Sequence, residues 1–131
     1  MTNLKKTSPS KDTIEEAIRI IQMQGQTPES PGELKQNGKI SLCAAAALAS
    51  AGLELADNLE RRRQFEEELI VTHSSEPIRQ VFSEFGWSVE LCNKTMATND
   101  HFAPSLRSES VTRYLASLSA KHSLPHKTYS V

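Results

Sequence analysis

Apolar positions recur at helical spacing over most of the chain. Ile14, Ala17, Ile18 and Ile21 follow the i, i+3, i+4, i+7 rhythm of a helix with one buried face. Ahead of them, Thr13 with Glu16 and Asp12 with Glu15 have capping-box spacing, which predicts a helix start at Asp12; Gly25 is the expected stop. Residues 40–53 hold no charged side chain, and Ala44-Ala45-Ala46-Ala47 lies at their centre. A helix of that composition buries every face, and its alanines admit close neighbours. Ser41 is its expected N-cap and Gly52 its expected end. Residues 53–71 read as another helix, restarting near Asp57. The run from Glu60 through Arg61, Arg62 and Arg63 to Glu68 reads there as a solvated face, with Arg62–Glu66 and Arg63–Glu67 pairs at i, i+4.

The second half continues in the same way. Ser75 caps a helix with Pro77 in its first turn, with Ile78, Val81, Phe82 and Phe85 inward and Gly86 at its end. Val89, Cys92 and Met96 stripe the next. Asn99-Asp100 opens a turn that runs to Pro104, and Ser108 or Ser110 caps a last helix with Val111, Tyr114, Leu115 and Leu118 inward. The long connection at residues 26–39, with Pro28, Pro31, Gly32 and Gly38, is the expected protease-sensitive segment, closed by an extended piece at Lys39-Ile40. The pattern therefore predicts an all-α fold. It is a single compact domain of about five helices around a buried Ala-rich helix at residues 12–121, between a mobile N-terminal arm (1–11) and a flexible C-terminal tail (122–131).

Composition narrows the function classes. In 131 residues, 37% are hydrophobic, 24% are charged and the formal net charge is −1. That balance suits a folded domain and leaves no electrostatic footprint for nucleic acid. A helix-turn-helix reading of residues 75–98 fails on the same ground, since Lys94 is the one basic residue of the would-be recognition helix. There is no apolar run of membrane-spanning length and no secretory signal at residues 1–10, so a cytoplasmic protein is expected. Cys43 and Cys92 match no zinc spacing, and both are expected as free thiols. His122 and His126 have i, i+4 spacing, but Pro125 between them breaks the helix a metal pair would need. Asp100-His101 supplies two possible ligands with none nearby. No metal site and no cofactor are expected, and no glycine spacing suits a phosphate loop.

One constellation could carry covalent chemistry. A cysteine at a helix start is expected to have a lowered pKa, because the helix dipole favours the thiolate. Cys43 with His73 or His101 as base, and Asn99 or Asp100 as orienting group, has the composition of a cysteine triad. The catalytic candidates are Cys43, His101 and Asp100; the binding candidates are Asn99 and Asp100, which should come within hydrogen-bonding reach of the backbone at residues 41–44. The competing reading makes both cysteines small apolar core residues and confines Asn99 and Asp100 to local turn contacts.

Cys43 leading Ala44 to Ala47, then Asn99-Asp100, then Ser110 with Val111, Leu115 and Leu118, resembles a family of small helical bacterial proteins of unknown function. The resemblance spans residues 13–120. That family's Cys-x-x-Gly-Ala run has Ala46 in place of the glycine here, and Thr98 stands where a tryptophan often precedes the Asn-Asp pair. The resemblance implies a helical fold and carries no known activity. The expectation is a small non-catalytic interaction or regulatory module, with an unknown protein partner or self-association and without nucleic acid or membrane. The alternative is a cysteine-dependent hydrolase or transferase using Cys43.

Overall fold

The computed structural model describes residues 8–25, 32–34, 36, 38, 40–101 and 104–123, with side chains for all of these except 101, 104–108 and 119–123. Among them are six helices: α1 (Lys11–Gln24), α2 (Ala44–Leu55), α3 (Leu59–Thr72), α4 (Glu76–Phe85), α5 (Val89–His101) and α6 (Pro104–Ser123). A short antiparallel pair, β1 (Gly32–Leu34) and β2 (Ile40–Leu42), precedes α2, with Gly32 opposite Leu42 and Leu34 opposite Ile40. The all-α expectation holds, with six helices where about five were expected. The first seven residues of the arm, residues 124–131 of the tail and most of the 26–39 connection lie outside the described residues.

The Ala-rich helix is the centre. Residues 44–52 of α2 are all buried, and α1, α3, α4 and α5 pack around it. Methyl side chains let those neighbours approach closely, and Ile14, Ala17, Ile20 and Ile21 from α1 complete the contact. Helix α6 closes the other side of α1 and of α5 through Val111, Leu115 and Leu118.

Several boundaries moved for identifiable reasons. Helix α1 starts at Lys11 because Ser10 is its N-cap, accepting from Thr13 N–H at 3.1 Å. Ser41 does not cap α2; it sits in β2, opposite Glu33, and Cys43 is the N-cap. Asp57, the expected restart, has a left-handed φ of 61° within the corner, and Asn58 caps α3 by accepting from Arg61 N–H at 3.3 Å. Ser75 makes no capping bond; Ser74 Oγ accepts from Glu76 N–H instead, at 3.0 Å. Val89 is not on the buried stripe of α5 but 69% exposed, because Ser88 caps the helix and turns Cys92, Thr95 and Asn99 inward. The expected turn at Asn99-Asp100 is helical, the last turn of α5. Helix α6 begins at Pro104, ahead of both expected caps, since proline is well suited to a first helical turn.

Gly52 does not end α2 but lies inside it. A Cβ there would stand 2.9 Å from Cε2 of Phe85 and 2.9 Å from Cη2 of Trp87. Those two rings stack with centroids 4.8 Å apart, and Phe82 meets Trp87 edge-on at 5.0 Å. Helix propensity alone would make Gly52→Ala stabilising by about 0.5–1 kcal/mol. Crowding of the aromatic pair, roughly 1–3 kcal/mol, exceeds that gain. Chemical denaturation of Gly52→Ala should therefore show a net loss of stability; a gain would mean the rings yield to the methyl group.

Candidate functional site

Cys43 precedes α2 in extended conformation, with φ −72° and ψ 169°. Its Sγ accepts from Ala46 N–H at 3.4 Å, in the manner of a serine cap. From 55 positions further on, Asn99 Oδ1 accepts from Ala44 N–H at 2.9 Å, in a fully buried bond. Asn99 Nδ2 donates to Asp100 Oδ1 at 3.1 Å. Two of the N–H groups at the start of the central helix are thus satisfied by one local and one distant side chain. Asn99 is 1% exposed, so its carboxamide is held by the core it ties together.

The predicted residues are brought together only in part. Asn99 reaches the backbone beside Cys43, and the exposed Asp100 lies close enough for its charge to act on the thiol. The side chain of His101 lies outside the described residues. His73 sits on the exposed, left-handed C-cap of α3 with φ 52°. The expected lowering of the Cys43 pKa does not occur. Burial pushes the thiol up to about 12, outweighing the N–H groups of Ala46 and Ala45 that favour the thiolate. Asp100 and Cys92 push in the same direction as burial. Both cysteines are free and buried, and burial raises Cys92 as well. Among the described residues no group of three His, Cys, Asp or Glu side chains could hold a metal ion. No described helix is long and apolar enough to cross a membrane.

Two further features were not among the expectations from the pattern. One is a groove of about 450 Å³ between α4 and α5, lined by Phe82, Trp87, Val89 and Cys92 and flanked by Arg79 and Glu90. The other is a polar cluster where α1, α2 and α3 meet. Ser50 Oγ donates to Glu66 Oε2 at 2.7 Å, and Arg62 Nε donates to the same oxygen at 2.9 Å. Arg62 Nη2 donates to Gln24 Oε1 at 3.0 Å, and Gln24 Nε2 passes the chain on to the carbonyl of Ile40 at 2.7 Å. The Arg62–Glu66 pair was expected on a solvated face. It is instead largely covered, with side chains 16% and 12% exposed, whereas Arg63–Glu67 is solvated as expected. A sequence signal existed: Ser50 and Glu54, at i, i+4, are the polar residues on one face of an apolar helix.

No protein-family model, no curated protein and no solved structure matches this chain.

Proposed function

We propose that the chain is a small non-catalytic interaction or regulatory module. The observation that carries this reading is the Cys43 thiol, 4% exposed, engaged as a helix cap and pushed up to about 12 by burial. A nucleophile needs a thiolate fraction and an approach path, and this thiol has little of either. Asn99, the residue that comes nearest to completing a triad, has its carboxamide oxygen engaged by the helix start. What the chain offers to other molecules is its surface. There Val89, Leu59 and Val71 are 69%, 60% and 78% exposed. The resemblance to a family of small helical proteins implies a helical fold and names no activity, so it favours neither reading.

Alkylation of the folded chain at neutral pH, followed by mass spectrometry, tests the proposal. Labelling of Cys43 should be slow and should reach its full rate only in denaturant. Rapid, selective labelling of native Cys43 would overturn the module reading and favour a cysteine-dependent hydrolase or transferase. As a companion measurement, Val89→Asp should leave the denaturation midpoint unchanged within about 0.5 kcal/mol, because the position is exposed. Any self-association through the α4–α5 face, read by sedimentation, should be weakened by it.

A further inference from the structure

Helices α5 and α6 are joined by a hydrogen bond between the hydroxyls of Thr95 and Tyr114, at 3.1 Å. Beside Tyr114 the two helices leave a cleft of about 500 Å³. Lys94 and Thr98, one turn apart on α5, form one wall; Ser110, Arg113, Tyr114, Ser117 and Leu118, at helical spacing on α6, form the other. That volume lies within the roughly 300–1,000 Å³ typical of small-molecule sites.

The charge of the cleft has one sign. The chain holds 16 acidic and 15 basic residues, yet among the described residues no carboxylate lines this space. Its two cations are also the least engaged of those described. Arg19, Arg61, Arg62 and Arg63 are held by glutamates, Lys11 lies near Glu15, and Arg79 donates to Asn93. Lys94 has neither an ion pair nor a side-chain hydrogen bond with another described residue. Arg113 engages Glu109 through Nη2 at 3.3 Å, in a pair whose side chains are 74% and 70% exposed. A pair so solvated is weak, and it leaves Nε and Nη1 for another acceptor.

The hydroxyls add direction. Thr98 and Ser110 are half-buried and bond to no other described residue. Thr95 is fully buried, and its described side-chain partner is Tyr114. Were Tyr114 the donor, Thr95 would keep a buried proton with no described acceptor, which is the costly arrangement. Thr95 therefore donates, and the half-buried Tyr114 hydroxyl retains its own proton for an acceptor beyond Thr95. Ser117 donates to the Tyr114 carbonyl at 2.6 Å, so it offers the cleft an acceptor.

We propose that this cleft binds a small phosphate monoester, with its dianionic head between Lys94 and Arg113 and its organic part along the Tyr114 ring and Leu118. Two cations and the O–H groups of Thr98, Ser110 and Tyr114 match a group with three acceptor oxygens and a charge of about −1.5 to −2. A carboxylate, with two oxygens and a single charge, would leave donors unmatched. The Ser117 oxygen suits a hydroxyl on the organic part. The site shares no side chain with the Cys43 helix start, so it stands or falls apart from the module reading.

Titration of the isotope-labelled full chain with phenyl phosphate, followed by amide NMR shifts, tests the proposal. Saturable shifts should concentrate at residues 94–98 and 110–118, and phenol at the same concentrations should not reproduce them. Lys94 and Arg113 are both exposed, so Lys94→Gln and Arg113→Gln should keep the fold. Each should weaken binding by on the order of tenfold, and the double variant should weaken it further. Tyr114→Phe should weaken it less than either, and Lys11→Gln, which removes a charge from α1, should leave it unchanged. Absence of a saturable shift at millimolar phenyl phosphate would overturn the proposal. So would the same affinity in the double variant as in wild type, shifts spread over basic residues outside α5 and α6, or an equal response to phenol.

Discussion

Ala46→Leu should lower the unfolding free energy by about 3 kcal/mol, the upper end of the range for overpacked cores. Ala46 is fully buried, and so are Ala45 and Ala47 beside it, on a helix that meets other helices on every face. A leucine adds bulk where no face opens to solvent. Relief would require moving α1 or α5, which are fixed at the same helix by Ile14, Ala17 and Asn99. Against a total stability of roughly 5–15 kcal/mol, that loss is large enough to read from any denaturation curve. Smaller replacements should cost less, so that Ala46→Ser is milder than Ala46→Val and Ala46→Val milder than Ala46→Leu. A leucine at exposed Ala97 should fall within about 0.5 kcal/mol of zero. An unchanged midpoint for Ala46→Leu would remove α2 from the centre of the fold.

Asn99→Ala should cost about 2–3 kcal/mol, because its Oδ1 is the partner of the Ala44 N–H in a fully buried place and truncation leaves that donor with neither protein nor water to bond. An orphaned buried donor costs about 1–3 kcal/mol, and loss of a helix cap about 0.5–2 kcal/mol; the two describe overlapping parts of one event and do not add. A double-mutant cycle isolates the bond. Proline is tolerated at the first position of a helix, has no N–H, and suits the extended Cys43 before it. In an Ala44→Pro background the donor is absent, so Asn99→Ala should cost markedly less than in wild type. Equal costs in both backgrounds would mean that Asn99 acts through packing alone.

Asn99 also shows where sequence reading stops. An Asn-Asp pair after an apolar stripe carries the local signal of a turn, because both side chains bond readily to their own backbone. That signal assumes the side chain is available locally. Here the carboxamide is engaged 55 positions away in sequence, and the helix runs on through both residues. Cys43 is a similar case. Its place at a helix start was legible and argued for a reactive thiolate, but the thiol pKa is set chiefly by burial, which depends on what packs over the helix start.

The central helix, by contrast, needed no partner to be recognised. A charge-free run with four consecutive alanines is soluble only if enclosed, so its burial is dictated by composition. The stripes of Ile14, Ala17 and Ile21, of Ile78, Val81 and Phe82, and of Val111, Leu115 and Leu118 are likewise properties of the chain, because the helical period of about 3.6 residues places those side chains on one face whatever they meet. Which faces meet is another matter. Gly52 reads as a helix end until Phe85 and Trp87 are seen over it, and Arg62 and Glu66 read as solvated until α1 and α2 cover them. Glu16 reads as a capping residue until its partner Arg19 is seen beside Glu54 of α2. Periodicity, capping and charge pairing act within a few residues and are written locally in the sequence. Burial of a thiol and enclosure of an ion pair depend on distances between elements, which only the packed tertiary structure sets.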